Sequence, residues 1–306
     1  MDEIFDVMIL GAGAAGLTAG IYSSRAKLST IILNEGAVGG QMILTNEIAN
    51  YPGLELSNGY VLANTMKKQA KDFGCKIKSN IKIVEYNLKG DIKSVKLEDG
   101  RVFTAKSVIL APGGKPRPLG ITGEDEFKGK GISYCATCDG EFFTGKEIIV
   151  VGGGNSALEE AVSLTKYSTK VTIIHQFDHF QAFEHAIQEA EKNDKIEFIM
   201  ESELRGFYGN EKIEKISIEH LPSGKISEQA IEGAFIFIGY LPNTESINGL
   251  VSLNEKKEII VDTDMKTNIP GVFAAGDCIV KKYRQVTTAV ADGTIAALSA
   301  AEYLRN

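Results

Sequence analysis

One Gly-rich signature occurs twice in this chain, in register with itself, and it narrows the fold to a single class. Asp6-Val7-Met8-Ile9-Leu10 reads as a buried strand that runs into Gly11-Ala12-Gly13-Ala14-Ala15-Gly16, where a helical pattern opens and continues to about Arg25. A second strand, Ser29 to Leu33, ends in Asn34-Glu35. Sliding the sequence by 141 positions lays Gly11 on Gly152, Gly13 on Gly154 and Gly16 on Ala157 without a gap, and carries Ile31-Ile32 onto Thr172-Ile173. Strand, tight turn, helix and second strand in that order form a dinucleotide-binding unit. The repeat therefore predicts an α/β protein of two Rossmann-like, three-layer ββα nucleotide-binding domains. The glycines let a pyrophosphate approach the helix N-terminus, and Glu35 stands where an acid accepts ribose hydroxyls. In the second unit that place holds Gln176.

Between and after the two units lie further loop signals. Gly39-Gly40-Gln41 and Asn50-Tyr51-Pro52-Gly53 are turns able to bring backbone amides and amide side chains to a ring system. Thr267 to Asp277 reads as a strand ending in Gly276-Asp277, which presents a carboxylate suited to a polyol hydroxyl, and Arg284-Gln285 introduces a closing helix from about Thr287 to Leu304. Pro112, Pro116 and Pro118, with the glycines among them, mark a domain boundary. A chain of 306 residues with 43% hydrophobic content has material for two cores. Its net charge of −7 argues against nucleic acid as a main partner. No charged and apolar leader precedes the first strand, and no apolar run approaches the ~20 residues a membrane helix needs, so a cytoplasmic, membrane-free protein is expected.

Chemistry concentrates at Ser133-Tyr134-Cys135-Ala136-Thr137-Cys138-Asp139-Gly140. Two intervening residues let both sulfurs lie at the first turn of a helix, whose dipole favours a thiolate. One sulfur is then the nucleophile and the other its resolving partner, with Asp139 placed to move the proton. The competing reading is half of a zinc site. That site needs four ligands, and the other two of the four cysteines, Cys75 and Cys278, are solitary. His175 and His179, four apart, lack a third ligand, so no metal site is expected.

Taken together and in order, these motifs resemble the low-molecular-weight thioredoxin reductases. Gly11 to Gly16, Gly39-Gly40-Gln41, Asn50 to Gly53, Cys135 to Gly140, Gly152 to Ala157, Ala274 to Asp277 and Arg284-Gln285 all match. The resemblance implies a discontinuous FAD-binding domain over 1–113 and 242–306, and an inserted domain over 114–241 that carries the cysteines. It implies bound FAD contacted by Gly11, Gly13, Ala14, Ala15, Gly16, Glu35, Gly40, Gln41, Asn50, Gly276, Asp277, Arg284 and Gln285. It also implies a homodimer, thioredoxin as partner, and rotation of the inserted domain. Cys138 would lie nearer the flavin, Cys135 would attack the protein disulfide, and Asp139 would handle protons.

The second nucleotide site departs from this pattern. NADPH-dependent members follow the second strand with His-Arg-Arg and a further arginine, whereas this chain reads His175-Gln176-Phe177-Asp178-His179-Phe180-Gln181. Losing two charge-assisted contacts of ~1.5–3 kcal/mol each weakens 2′-phosphate binding by roughly 10²–10⁴-fold. The combination resembles the ferredoxin-dependent flavin thioredoxin reductases, which implies ferredoxin as electron donor. Passing two electrons from a ferredoxin near about −400 mV to a thioredoxin near about −270 mV releases about 6 kcal/mol. Lys281, Lys282 and Arg284 are candidates to receive an acidic ferredoxin. The rival readings are an NAD(P)H-dependent reductase with an atypical nucleotide loop, a flavin dithiol oxidase using oxygen, and a non-catalytic redox sensor.

Overall fold

The computed structural model describes residues 3–44, 48, 50–55 and 57–305, and for Leu44, Thr137 and Cys138 the backbone alone. The chain forms two compact units, residues 1–115 with 241–306, and residues 116–240. Each is an α/β domain built on a parallel sheet, and the second is inserted into the first.

In the discontinuous unit, the parallel strands lie in the order Lys76–Lys78, Thr30–Leu33, Ile4–Leu10, Val102–Leu110. The far half of Val102–Leu110 pairs in parallel with Val272–Ala274, and its near half continues into an antiparallel meander through Lys93–Leu97 and Ile83–Asn87. The alternation of a strand explains the layering. Val7 and Ile9 face one way, into a core shared with Leu17, Leu62, Met66, Ala296 and Ala300 of the helices Ala14–Arg25, Gly59–Asp72 and Val286–Tyr303. Met8 and Leu10 face the other way, into a second core with Leu88, Val95, Leu97, Ile247 and Ile259.

The inserted unit repeats the plan. Its parallel order is Ile196–Ile199, Lys170–Ile174, Glu147–Val151, Gly233–Ile236, Ile132–Ser133. Val150 and Ile173 pack under the helices Asn155–Leu164 and Glu184–Glu191, while Ile149 and Ile174 pack against the antiparallel sheet Ser202–Gly209, Ile213–His220, Lys225–Ala230.

Glycine decides how closely the first and last segments of the chain approach. A Cβ on Gly293, in the last helix, would lie 2.2 Å from the Ala15 carbonyl oxygen, and one on Gly16 would lie 2.0 Å from the Gly11 carbonyl oxygen. Backbone cannot rotate out of the way as a side chain can. Lys93 is also fully buried, with its ammonium 3.0 Å from the Lys106 carbonyl and 5.4 Å from the centroid of the Tyr303 ring, which ties the meander to the last helix. Gly293→Ala, although favoured by helix propensity, is expected to lower stability by about 1–3 kcal/mol in a denaturant titration, because overpacking against backbone wins.

Candidate active site

The first Gly-rich turn is shaped by close approach. Gly11 has φ +113°, and a Cβ there would lie 2.1 Å from the Ala111 carbonyl oxygen. Gly13 caps the helix without a side-chain hydrogen bond, so the amides of Ala14 and Ala15 stand at its N-terminus ahead of Gly16. Two segments fix this turn from outside. Asn34 Oδ1 accepts the Ala12 N–H at 2.8 Å, and the Gly39 N–H donates to the Ala12 carbonyl at 2.8 Å. Gly40, with φ +59°, follows so closely that a Cβ on it would lie 3.1 Å from Gly13 Cα. Gln41 continues into the one-turn helix Gly40–Leu44 and is exposed. Glu35, exposed at the strand end, accepts the Ile83 N–H at 3.2 Å.

The distant end of the chain meets the same turn. A Cβ on Gly276 would lie 2.9 Å from Ala15 Cβ, and the Gly276 N–H donates to Asp292 Oδ2 of the last helix at 3.1 Å. Asp277 Oδ1 is buried and finds no partner among the described residues. Burial pushes the Asp277 carboxyl above its usual range, and the nearby charges of Lys281 and Arg284 oppose that shift. An orphaned buried carboxylate oxygen beside a glycine cradle and a helix N-terminus fits a polyol-linked dinucleotide. Asn50 Nδ2 donates to Gln285 Oε1 at 3.2 Å across 235 residues of sequence, and Gln285 caps the last helix in a box with Thr288. Arg284 donates through Nε to the Asp277 carbonyl at 3.2 Å and pairs with Glu258.

The expected basic patch changes character here. Lys281 is half-buried and paired with Asp292, and Arg284 is committed to Glu258. Of the three cations only Lys282 is exposed, 5.1 Å from the centroid of the Tyr283 ring. Cations spaced along a loop look alike in sequence, and their carboxylate partners lie 11 and 26 positions away.

In the inserted unit, Cys135 is held in a disulfide, while Cys75 and Cys278 are free and buried. The helix after Cys135, Ala136–Asp139, is a single turn continued by the 3₁₀ turn Gly140–Phe143. A one-turn helix carries little of the dipole expected at this position, because the macrodipole sums over aligned peptides. Other contacts shape the segment. Ser133 Oγ lies 2.6 Å from Asp139 Oδ2 and accepts the Cys135 N–H at 3.0 Å. Tyr134 donates its hydroxyl to Glu124 at 2.5 Å, and the buried Glu124 also accepts the N–H groups of Leu119 and Gly120. Desolvation and the Glu124 charge both push the Tyr134 phenol upward, so it remains a donor. The sequence names Ser133 and Asn34 within its motifs without giving either a role, and Glu124 and Asp292 lie outside every motif.

The second Gly-rich turn is built like the first. Gly152 has φ +136°, and a Cβ there would lie 2.3 Å from the Phe237 carbonyl oxygen. The Gln181 N–H donates to the Gly153 carbonyl at 2.7 Å, as Gly39 does to Ala12 in the first unit. His175, displaced 141 positions from Asn34, lays its ring over Gly153, where a Cβ would lie 2.4 Å from the imidazole. Its Nε2 lies 3.1 Å from the His179 carbonyl and therefore carries the proton, and burial holds its pKa down. His179 Nδ1 lies 2.6 Å from Asp178, whose carboxyl that hydrogen bond holds below its usual range. The loop thus presents an ionised acid where the family pattern has arginines.

A family model described as pyridine nucleotide-disulphide oxidoreductase matches residues 5–293. The chain belongs to that family. Within it, the low-molecular-weight thioredoxin reductases match this chain end to end. The thioredoxin reductase of Peptoclostridium acidaminophilum is 44% identical, over 99% of this chain and 98% of its own. The solved thioredoxin reductase of Lactococcus lactis is 41% identical, with a TM-score of 0.89 over 98% of this chain and 99% of its own. The solved ferredoxin-flavin thioredoxin reductase of Clostridium acetobutylicum is 29% identical, with a TM-score of 0.53 over 100% and 99% of the two chains. No helix among the described residues is long and apolar enough to cross a membrane.

Burial pushes the thiols of Cys75 and Cys278 up to about 12. Iodoacetamide at neutral pH is expected to leave both unlabelled in the native reduced protein and to label both after denaturation. The linkage has a definite sign: a thiol whose folded pKa is raised contributes stability that is present below its unfolded value of 9.0 and lost as pH rises toward about 12. Denaturation midpoints are therefore expected to fall above about pH 9, and less steeply in a Cys75→Ala variant.

Proposed function

We propose that this chain is an FAD-dependent reductase that reduces the disulfide of a thioredoxin through Cys135 and Cys138, and that reduced ferredoxin rather than NADPH supplies its electrons. The observation that carries the disulfide chemistry is the oxidised Cys135 with the Asp139 carboxylate held beside its backbone. The FAD pyrophosphate would be held by Gly11, Gly13, Ala14, Ala15 and Gly16, with Gly40 and Gln41 alongside, and its ribose by Glu35. Asp277, whose buried Oδ1 has no partner among the described residues, would take the ribityl hydroxyls, while Asn50, Gly276, Arg284 and Gln285 would complete the wall. Bound flavin supplies the conversion between single-electron delivery and two-electron disulfide reduction.

The donor reading rests on the loop after Lys170–Ile174. Gln176, Phe177 and Gln181 stand where arginines would grip a 2′-phosphate, and the ionised Asp178 would repel one. The solved ferredoxin-flavin thioredoxin reductase, at 29% identity, is more distant than the Lactococcus lactis thioredoxin reductase at 41%, so the reading stands on the loop alone. A second reading, NAD(P)H as donor, is favoured by the retained geometry of Gly152 and Gly154 at the start of the helix Asn155–Leu164.

Anaerobic titration of the flavin separates the two. Reduced ferredoxin is expected to bleach the visible flavin absorbance and to yield thioredoxin thiols, while NADPH and NADH do so slowly or not at all. Rapid, saturable bleaching by NADPH or NADH would overturn the donor assignment and leave the disulfide chemistry standing.

A further inference from the structure

The carboxylate behind the cysteines is not left to solvent. Ser133, buried at the end of the strand Ile132–Ser133, has its Oγ 2.6 Å from Asp139 Oδ2, 3.0 Å from the Cys135 amide nitrogen and 3.2 Å from the Cys135 carbonyl oxygen. A hydroxyl has one proton to give and two positions at which to accept. The Cys135 N–H can only donate, so it fills one acceptor position. The single hydroxyl proton then faces two acceptors. When Asp139 is ionised, the shorter, charge-assisted bond to its carboxylate wins. When Asp139 is protonated, its own O–H becomes the donor to Oγ, and the hydroxyl proton turns to the Cys135 carbonyl. Both arrangements keep the Ser133 hydroxyl and Asp139 Oδ2 paired without moving a heavy atom.

We propose that Ser133 is a positioning residue for proton transfer at the cysteines, holding Asp139 in place in both protonation states by turning its one proton between Asp139 Oδ2 and the Cys135 carbonyl. This role rests on the dithiol chemistry proposed above. In that exchange the two thiols of Cys135 and Cys138 lose two protons as their S–S bond forms, and the partner's S–S bond breaks as its two sulfurs gain two protons. Asp139 takes a proton from an attacking thiol and returns it to a leaving sulfur, so its carboxyl changes state once in each direction. A carboxylate free to swing would lose the alignment on which that transfer depends. The hydroxyl turns far faster than any such exchange and does not limit it.

The test is a single turnover of anaerobically reduced holoenzyme against oxidised thioredoxin, read by quenching and alkylating the thiols formed. Ser133→Ala is expected to slow the exchange by roughly 10-fold with the flavin spectrum unchanged, and Asp139→Asn to slow it at least as much. Adding Ser133→Ala to Asp139→Asn is expected to cost nothing further, and Ser133→Thr, which keeps the hydroxyl, to recover most of the rate. The role is overturned if Ser133→Ala stays within about two-fold of the wild type, or if it slows the Asp139→Asn enzyme by the factor it slows the wild type. Should Ser133→Ala fail to fold, Ser133→Thr decides alone: a retained rate supports the role and a lost rate overturns it. A wild-type holoenzyme that leaves thioredoxin oxidised would overturn the proposed function, and this role with it.

Discussion

Backbone meeting backbone at glycine is the constraint on which the discontinuous unit depends. Gly11 lies under the Ala111 carbonyl, Gly16 under the Gly11 carbonyl, and Gly293 under the Ala15 carbonyl. Each contact excludes a Cβ, and together they bring the first strand, the first helix and the last helix to one point. Asp277 arrives there as a consequence. Its turn rests on Ala15 and is pinned by Asp292, so residues separated by more than two hundred positions share one cradle. The burial that pushes the Asp277 carboxyl upward is the cost of holding it there with no partner for Oδ1 among the described residues.

The two Gly-rich turns share a backbone plan and differ in what surrounds it. In the first, Asn34 accepts the Ala12 N–H through Oδ1. In the second, the His175 ring lies flat on Gly153, fastened to the His179 carbonyl, and the loop outside it carries Asp178 instead of guanidinium groups. Electrostatics rather than fold separates the two turns. Steric provision for a pyrophosphate is kept in both, whereas the charge that would select a phosphorylated ribose is missing from the second.

The motifs made the fold readable because a strand, a Gly-rich turn and a helix constrain one another over about twenty consecutive residues. The duplication at 141 positions carried that reading to the second unit. Pairings between distant positions were not readable. Nothing in Lys281 or Arg284 announces that Asp292 and Glu258 neutralise them, so a chain of surface cations was expected where two ion pairs are formed. Nor does the spacing of two cysteines reveal that the helix they begin is one turn long, with Ser133 and Glu124 ordering the segment in place of a helix dipole.

Cys135 therefore sits in a segment fastened from both sides: Tyr134 to Glu124 before it, and Asp139 to Ser133 after it. Such fastening suits the role proposed for Cys135, in which its sulfur meets a partner's disulfide in one geometry. The most direct test is to trap that meeting. A Cys138→Ser holoenzyme, unable to resolve the exchange, is expected to accumulate a mixed disulfide with thioredoxin that peptide mapping assigns to Cys135. Failure to form it, or formation through Cys138 in a Cys135→Ser enzyme instead, would contradict the assignment of Cys135 as the sulfur that passes electrons out of the protein.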